Sequence, residues 1–299
     1  MRYYTDTTTL FIRGSFRAAS TGTAGGIRSV STILNHSNPA GRPADSERMF
    51  DTVIAAQGLE RNYFGLVSAV PARQACVLQY DFITVFVTAG IRREPPSAAG
   101  GVDIIIVSSE GMEDAALLES IMIAAEAKAE ALQEMDLPLS GTPADVVIAA
   151  CEGEGAIRHH AAGRNSEAGR RIREAVLYGI PEAIRRHDAG VQEAAPAFFI
   201  FSRLKEDHWI AWTKTDCPYY PCHFKGQSCD LCYCPFYPCH DETLGQWTAG
   251  SSGKEVWNCA GCRLPHEPAV VAYLRKYPAA SKDELVKVAA QTPHPGTES

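Results

Sequence analysis

"FITVFVTAG" (82–90) and "VDIIIVSS" (102–109) decide the fold class. Each is a short apolar run, rich in β-branched residues and closed by small or polar turn formers. Runs of this length and apolarity read as strands buried on both faces. Working outward, "TLFIRGSF" (9–16) and "RSVSTILNHS" (28–37) read as strands ended by turn formers, and "YFGLVSAV" (63–70) and "DVVIAAC" (145–151) as further buried strands. Helical stretches lie between them. "ADSERMFDTVIAAQGL" (44–59) stops at Gly58, and "MEDAALLESIMIAAEAKAEALQEM" (112–135) carries acids in its first turn. "EAGRRIREAVLYGIPEAIRRH" (167–187) should kink near Pro181. The mixture predicts an α/β fold, a mixed sheet with packed helices. Strand order is not legible in these runs.

A chain of 299 residues suggests two domains, and 45% hydrophobic residues are enough for a core. The expected division is 1–195 and 205–299, with 188–210 as a junction. Net charge −7 argues against nucleic acid and against an anionic membrane surface as partner. The sequence shows neither a run of transmembrane length nor a signal-peptide pattern, so the expected location is cytoplasmic. Near the end, "HEPAVVAYLRKYP" (266–278) reads as a short helix, and "SKDELVKVAA" (281–290) opens with a capping box, Ser281 to Glu284. The tail "QTPHPGTES" (291–299) is expected to be disordered.

Eight of the ten cysteines fall between 217 and 262. "CPYYPCH" (217–223) is nearly repeated as "CPFYPCH" (234–240). The pairs are Cys217/Cys222, Cys229/Cys232, Cys234/Cys239 and Cys259/Cys262. Close thiolate pairs on stiff turns supply a tetrahedral zinc site, and eight thiolates make two structural zinc ions. The expected second domain is therefore a small, irregular, cysteine-rich metal-binding unit. Spacing allows sequential or interleaved sites. His223, His240 and His266 can each replace a cysteine, though each reads first as solvated or outside the coordination set. With nine basic against eleven acidic residues over 205–299, the segment lacks the footprint of a nucleic-acid reader. It offers a surface for a protein partner instead. Subunit number is not legible.

Three stretches of the first domain, taken in order, resemble the adenosylcobinamide amidohydrolase family. They are "STILNHSNP" (31–39), "VFVTAGI" (85–91), and "IAAEAKAEAL" leading to "SGTPADVVIAA" (123–150). The last helix, opening "AAGRNSEAGRRIREAV" (161–176), also fits. The resemblance covers most of 1–185. It implies hydrolysis of the amide joining the aminopropanol arm to the corrin ring, in corrinoid salvage, chiefly in archaea. It implies a corrinoid substrate and no organic cofactor. Where the family usually reads "TGTGTD", this chain reads "SGTPAD" (140–145): Thr142 and Asp145 are kept, while Pro143 and Ala144 replace a glycine and a threonine. "IRREPPSAAGG" (91–101) also departs from the family's usual continuation. The alternative reading is a corrinoid-binding protein whose zinc module recruits a partner.

Amide hydrolysis needs a nucleophile, an oxyanion donor and a proton for the leaving amine. At helical periodicity Leu117, Ile121, Ala125, Leu132 and Met135 form one stripe with Lys128 in its middle. Lys128 is a candidate proton donor. Glu126 is a catalytic candidate on the opposite face, with Glu119 and Glu130, where a solvated acid is the plainer reading. Thr88 is a candidate nucleophile, and the Thr88 and Gly90 backbone N–H groups a candidate oxyanion pocket. Asn35 can donate to the oxyanion or to a corrin amide. His36 and Ser37 follow it as substrate-binding candidates, His36 also as a base. Asp145 orients a partner or caps a turn, and Thr142 contacts substrate. Cys151 reads as core. His159 and His160 are weaker candidates.

Overall fold

In the computed structural model the described residues are 1–40, 43–91, 101–137, 140–152, 157–191, 195–202, 207–211, 221–229, 231, 234, 236–249, 255–277 and 280–291. The chain divides into two units near residue 212. The first contains β1 (Arg2–Thr5), β2 (Thr9–Ser20), β3 (Gly26–Ser37), α1 (Ser46–Ala56), β4 (Tyr63–Ser68), β5 (Cys76–Tyr80), β6 (Ile83–Gly90), β7 (Gly101–Ser108), β8 (Gly111–Met112), α2 (Asp114–Glu134), β9 (Val147–Cys151), β10 (Arg158–His159), α3 (Glu167–Asp188), β11 (Ala197–Ser202) and β12 (His208–Ala211).

Among the described residues ten strands form one sheet, in the order β12-β11-β5-β6-β7-β9-β2-β3-β4, with β1 also on β2. The sheet is mixed: β3/β4, β7/β9 and β5/β11 are parallel, and the other pairs along this path are antiparallel. The long strands β2 and β3 turn a corner, where the register shifts between Arg13 and Phe16. Before the corner β3 also pairs with β4, and beyond it β2 pairs with β9. The sheet thereby coils, and its concave face packs against itself through Leu10, Ile12, Ile33, Leu66, Phe86 and Ile105.

Alternation along the strands separates the faces. Val85, Val87, Ile104, Ile106, Val147 and Ala149 point outward and meet α2 and α3. Phe11 and Leu34 point outward at the other limb and meet Phe50 and Ile54 of α1. The described parts of the stretch read as a junction include two strands. Phe198 pairs with Val77, and β12 closes that edge, so the sheet runs on to Ala211. α3 continues through Pro181 as one helix, capped where the Gly169 N–H donates to Ser166 Oγ at 2.9 Å.

α2 buries Leu117 and Leu132 of the expected stripe, with Ile121 and Met135 packed at its margin, but the centre of the inward face lies on small residues beside it. Ala116, Ser120, Ala124, Ala127 and Ala131 face inward, whereas Ala125 is exposed. Small residues allow close approach, and α2 packs directly beside α3.

The second unit contains the hairpin β13 (Gln246–Ala249) and β14 (Glu255–Asn258), then α4 (Pro268–Lys276) and α5 (Lys282–Gln291). Among the described residues its apolar core is small, a cluster of Leu264, Val270, Leu274, Ala280 and Leu285 with Trp257 and Val271 also buried. The capping box forms as expected. The Ser281 N–H donates to Glu284 Oε2 at 2.7 Å, and the Glu284 N–H donates to Ser281 Oγ at 3.3 Å.

Gly65 of β4 lies under the buried Phe50 ring, and an added Cβ would come within 2.8–2.9 Å of three ring atoms. Gly65→Ala should destabilise the first unit by about 1–3 kcal/mol through overpacking. Phe50→Leu in the same chain should recover part of the loss, measured by urea unfolding.

Candidate functional site

Four polar side chains gather on the concave face. Asn35 sits opposite Leu10 and Leu66, and Ser68 opposite Ser37, so Asn35 and Ser68 share the apolar inner face. Thr88 and Asp103 are direct cross-strand partners of β6 and β7. Coiling of the sheet brings the two limbs together. Asn35 Nδ2 donates to Thr88 Oγ1 at 2.9 Å, and the Ser68 and Thr88 hydroxyl oxygens are 3.5 Å apart. All four residues are 3% exposed or less. Asn35 Oδ1 has no hydrogen-bond partner among the described residues.

Asp103 is the unusual member. Burial pushes its carboxyl up to about 7, against hydrogen bonds from Ser68 and from the Val146 N–H, with Asp145 adding repulsion and Lys128 attraction. The Val146 N–H donates to Asp103 Oδ1 at 3.3 Å.

A second cluster stands on the helix side of the same strand ends. Lys128 Nζ donates to Asp145 Oδ2 at 2.6 Å, with side chains 11% and 6% exposed. The Thr142 N–H donates to Asp145 Oδ2 at 2.9 Å, the Thr142 hydroxyl to Oδ1 at 2.7 Å, and the Val102 N–H to Oδ1 at 2.9 Å. Burial alone would raise the Asp145 carboxyl. The Lys128 ammonium and these donors outweigh it and hold the group below its ordinary range. Gly141 is required by space, since a Cβ there would lie 2.6 Å from Lys128 Nζ and 2.7 Å from Asp145 Oδ2. The two clusters are joined by backbone: Asp145 takes the N–H of Val102, beside Asp103, and Asp103 takes the N–H of Val146, beside Asp145.

The structure thus brings Asn35 to Thr88, and Lys128 to Asp145 and Thr142. It does not bring the other candidates into these clusters. Glu126 makes its ion pair with Arg164 at 4.0 Å, two residues and more than half a helical turn from Lys128. His36 points to the other face of β3, where its Nδ1 lies 2.8 Å from Thr9 Oγ1, and burial lowers its pKa. Ser37 donates to the Val70 carbonyl at 3.0 Å and accepts from the Ala72 N–H at 2.6 Å. Gly90 lies tight against Val70 and His187. His159 pairs with Glu110 and His160 with Glu113. Cys151 is core, 1% exposed. Ser68 and Asp103 were missed. An acid inside the apolar run "VDIIIVSS" was the available signal, because a lone charge there must be paired or neutralised.

In the second unit, Cys222, His223 and His266 bring one ligand atom each to within 4.8 Å of one another. Gln227 Nε2 donates to Cys222 Sγ at 3.2 Å and to Cys229 Sγ at 3.5 Å. Cys234, Cys239, Cys259 and Cys262 are electrostatic neighbours. Burial pushes the Cys234 thiol up to about 11, and the thiols of Cys262, Cys259 and Cys239 add to it. His240 packs among Trp247 and Trp257 instead. Cys217 and Cys232 lie outside the described residues.

Residues 2–191 match the family described as adenosylcobinamide amidohydrolase. An adenosylcobinamide amidohydrolase of Methanosarcina mazei is 35% identical over 191 residues, 60% of this chain and 96% of that protein. The chain belongs to the adenosylcobinamide amidohydrolase family. It is therefore a hydrolase acting on an amide. Residues 208–289 of this amidohydrolase separately match a family described as cysteine-rich small domain. An uncharacterized protein of Methanocaldococcus jannaschii is 40% identical over 84 residues, 28% of this chain and 71% of its own length. A probable cobalt-factor III C(17)-methyltransferase of Methanothermobacter thermautotrophicus is 42% identical over 62 residues, 20% of this chain and 17% of its own length. Both polar clusters lie inside the amidohydrolase match. No helix among the described residues is long and apolar enough to cross a membrane.

The raised Asp103 value has a thermodynamic consequence. Between the ordinary carboxylate range and about 7 the folded amidohydrolase holds a proton that the unfolded chain releases. The associated stability is full below the unfolded value and is lost as pH rises through about 7. Asp103→Asn should flatten this slope, which is at most about 1.4 kcal/mol per pH unit. Urea unfolding of both proteins across that pH window checks it.

Proposed function

We propose that this amidohydrolase cleaves the aminopropanol amide of adenosylcobinamide, giving adenosylcobyric acid and 1-aminopropan-2-ol, in archaeal-type corrinoid salvage in the cytoplasm. Water adds across the C–N bond: the carbonyl carbon keeps the oxygen as a carboxylate, and the nitrogen leaves with the proton. The observation that carries the reading is the pair of clusters clasped together at the ends of β7 and β9.

The geometry supports specific roles. Asp103 is a base poised near neutrality, the range in which general bases work best. Ser68 Oγ donates to Thr88 Oγ1 at 3.5 Å, so the two hydroxyls must turn over before Thr88 passes its proton by way of Ser68 to Asp103. Thr88 Oγ1 then attacks the amide carbon, with Asn35 Nδ2 beside it to meet developing negative charge. Lys128, held by Asp145, gives a proton to the departing amine. Water hydrolyses the ester and restores Thr88. Thr88 is 1% exposed, so the arm reaches it only once the side chains packed around the cluster part. Against the binding-only alternative, the two departures from the family's loop fall at exposed positions. Pro143 and Ala144 face solvent, while the retained Thr142 and Asp145 carry the side-chain bonds.

The donors of the second unit fit zinc, a borderline-soft ion that takes thiolate and imidazole. Two structural ions would brace that unit and supply folding free energy its small core lacks.

The test is release of 1-aminopropan-2-ol from adenosylcobinamide by purified protein. Lys128→Ala, Thr88→Ala and Asp103→Asn should each lower kcat by about 10²-fold or more, with folding retained. Stoichiometric corrinoid binding without amine release by the wild-type protein would sink the reaction and favour the binding reading.

A further inference from the structure

The duplicated heptapeptide suggested two all-thiolate sites. The second unit gathers its donors differently around Cys222. Ligand atoms of Cys222, His223 and His266 already lie within 4.8 Å of one another. The surroundings are those of a built centre. His266 is 4% exposed, and its Nδ1 is 3.0 Å from the Ser228 carbonyl. An imidazole that donates Nδ1–H to a backbone carbonyl presents Nε2 as a bare lone pair, the usual arrangement of a metal-bound histidine. The return bond, Ser228 N–H to the His266 carbonyl at 2.8 Å, locks that side of the loop. Gln227 is 1% exposed and has its whole amide engaged. Its Oε1 accepts the N–H groups of His223 and Phe224, at 2.9 and 3.2 Å, which fixes the backbone carrying one imidazole. Its Nε2 points at both Cys222 Sγ and Cys229 Sγ. An N–H donor aimed at two sulfurs stabilises them as thiolates. Cys229 Sγ lies outside the group whose ligand atoms fall within 4.8 Å of one another, and the shared Gln227 donor is what assigns it as the fourth donor.

We propose that Cys222, Cys229, His223 and His266 form one mixed thiolate–imidazole centre for a divalent zinc-like ion. The inference deepens the reading of the second unit as a metal-binding module and rests on it. In this reading the other ion falls to Cys234, Cys239, Cys259 and Cys262, which are electrostatic neighbours.

X-ray absorption at the zinc edge of the full-length, zinc-loaded chain tests this, with metal content measured on the same sample. Expected are about two ions per chain and a first shell containing sulfur near 2.3 Å together with nitrogen near 2.0–2.1 Å. His266→Cys should keep both ions and remove nitrogen signal, and His223→Ala should lose one ion. His240→Ala should change neither. In cobalt-loaded protein, thiolate-to-metal charge-transfer intensity should report six sulfur bonds, not the eight that all the cysteines between 217 and 262 would give. An all-sulfur shell in the wild-type protein overturns the mixed centre and leaves the metal module standing. Absence of bound metal overturns both. Should the variants fail to fold, the wild-type spectra still decide.

Discussion

An ionisable group inside an apolar sheet has to find partners or give up its charge, and Asp103 does some of each. Its carboxyl sits on a face whose neighbours along β7 are Ile105 and Val107. Isolated charge there would cost many times the net stability of a domain. Ser68 and the Val146 N–H supply partners, and the remaining penalty shows as a proton held to about 7. Everything else at this end of the sheet follows from that requirement. Ser68 comes from β4 and Asn35 from β3, strands far from β6 in the sheet order, so the polar cluster exists only because the sheet coils. The accounting is also incomplete. Asn35 Oδ1 is buried without a partner among the described residues, a defect worth about 1–3 kcal/mol.

The two carboxylates divide their work by face. Asp145 has both oxygens saturated by an ammonium, a hydroxyl and two backbone N–H groups. It is a poor base and a good anchor. Asp103 has fewer donors and a near-neutral pKa, so it is the better proton acceptor. Because each takes the N–H beside the other, displacing either moves the strand end that presents its neighbour. Charge couples them as well. Asp145 disfavours ionisation of Asp103, and Lys128 favours it. The ion pair on the helix side thus tunes the acid on the concave side without touching it.

The parts legible in the sequence were those carried by local pattern. β6, β7 and β9 are unbroken apolar runs, and the Ser281–Glu284 box is a local signature that forms as read. What escaped depends on partners distant in sequence. β11 follows an Ala- and Pro-containing stretch that looks like a linker, and it becomes a strand by pairing with β5. The stripe of α2 was read only in part, Leu117 and Leu132 being buried as expected, because alanine is nearly silent in a hydrophobicity reading. Leu118 and Met122 are large and exposed, whereas Ala124, Ala127 and Ala131 are small and buried. Lys128 was singled out for lying on an apolar stripe, and it meets Asp145 from the edge of a narrower one. Thr88 and Asn35 were legible as strand-end polar residues, but their contact was not, since no local pattern encodes a sheet's coil.

The second unit poses the opposite problem, too little apolar surface rather than too much. The seven apolar side chains buried among its described residues are few for the entropy of ordering a unit of this size, so metal would have to supply part of its stability. The choice of donors then has an electrostatic side. Four thiolates around a divalent ion leave two excess negative charges, while two thiolates and two neutral imidazoles leave none. His266, at 4% exposure, lies where residual charge would be poorly solvated. A neutral centre suits that position. Burial of the sulfurs does not separate the two groups, since Cys234, Cys239, Cys259 and Cys262 are half-buried, as Cys229 is, and Cys222 is exposed; the buried imidazole of His266 does. In the proposed arrangement the buried imidazole of His266, rather than the repeated heptapeptide, would distinguish the two centres.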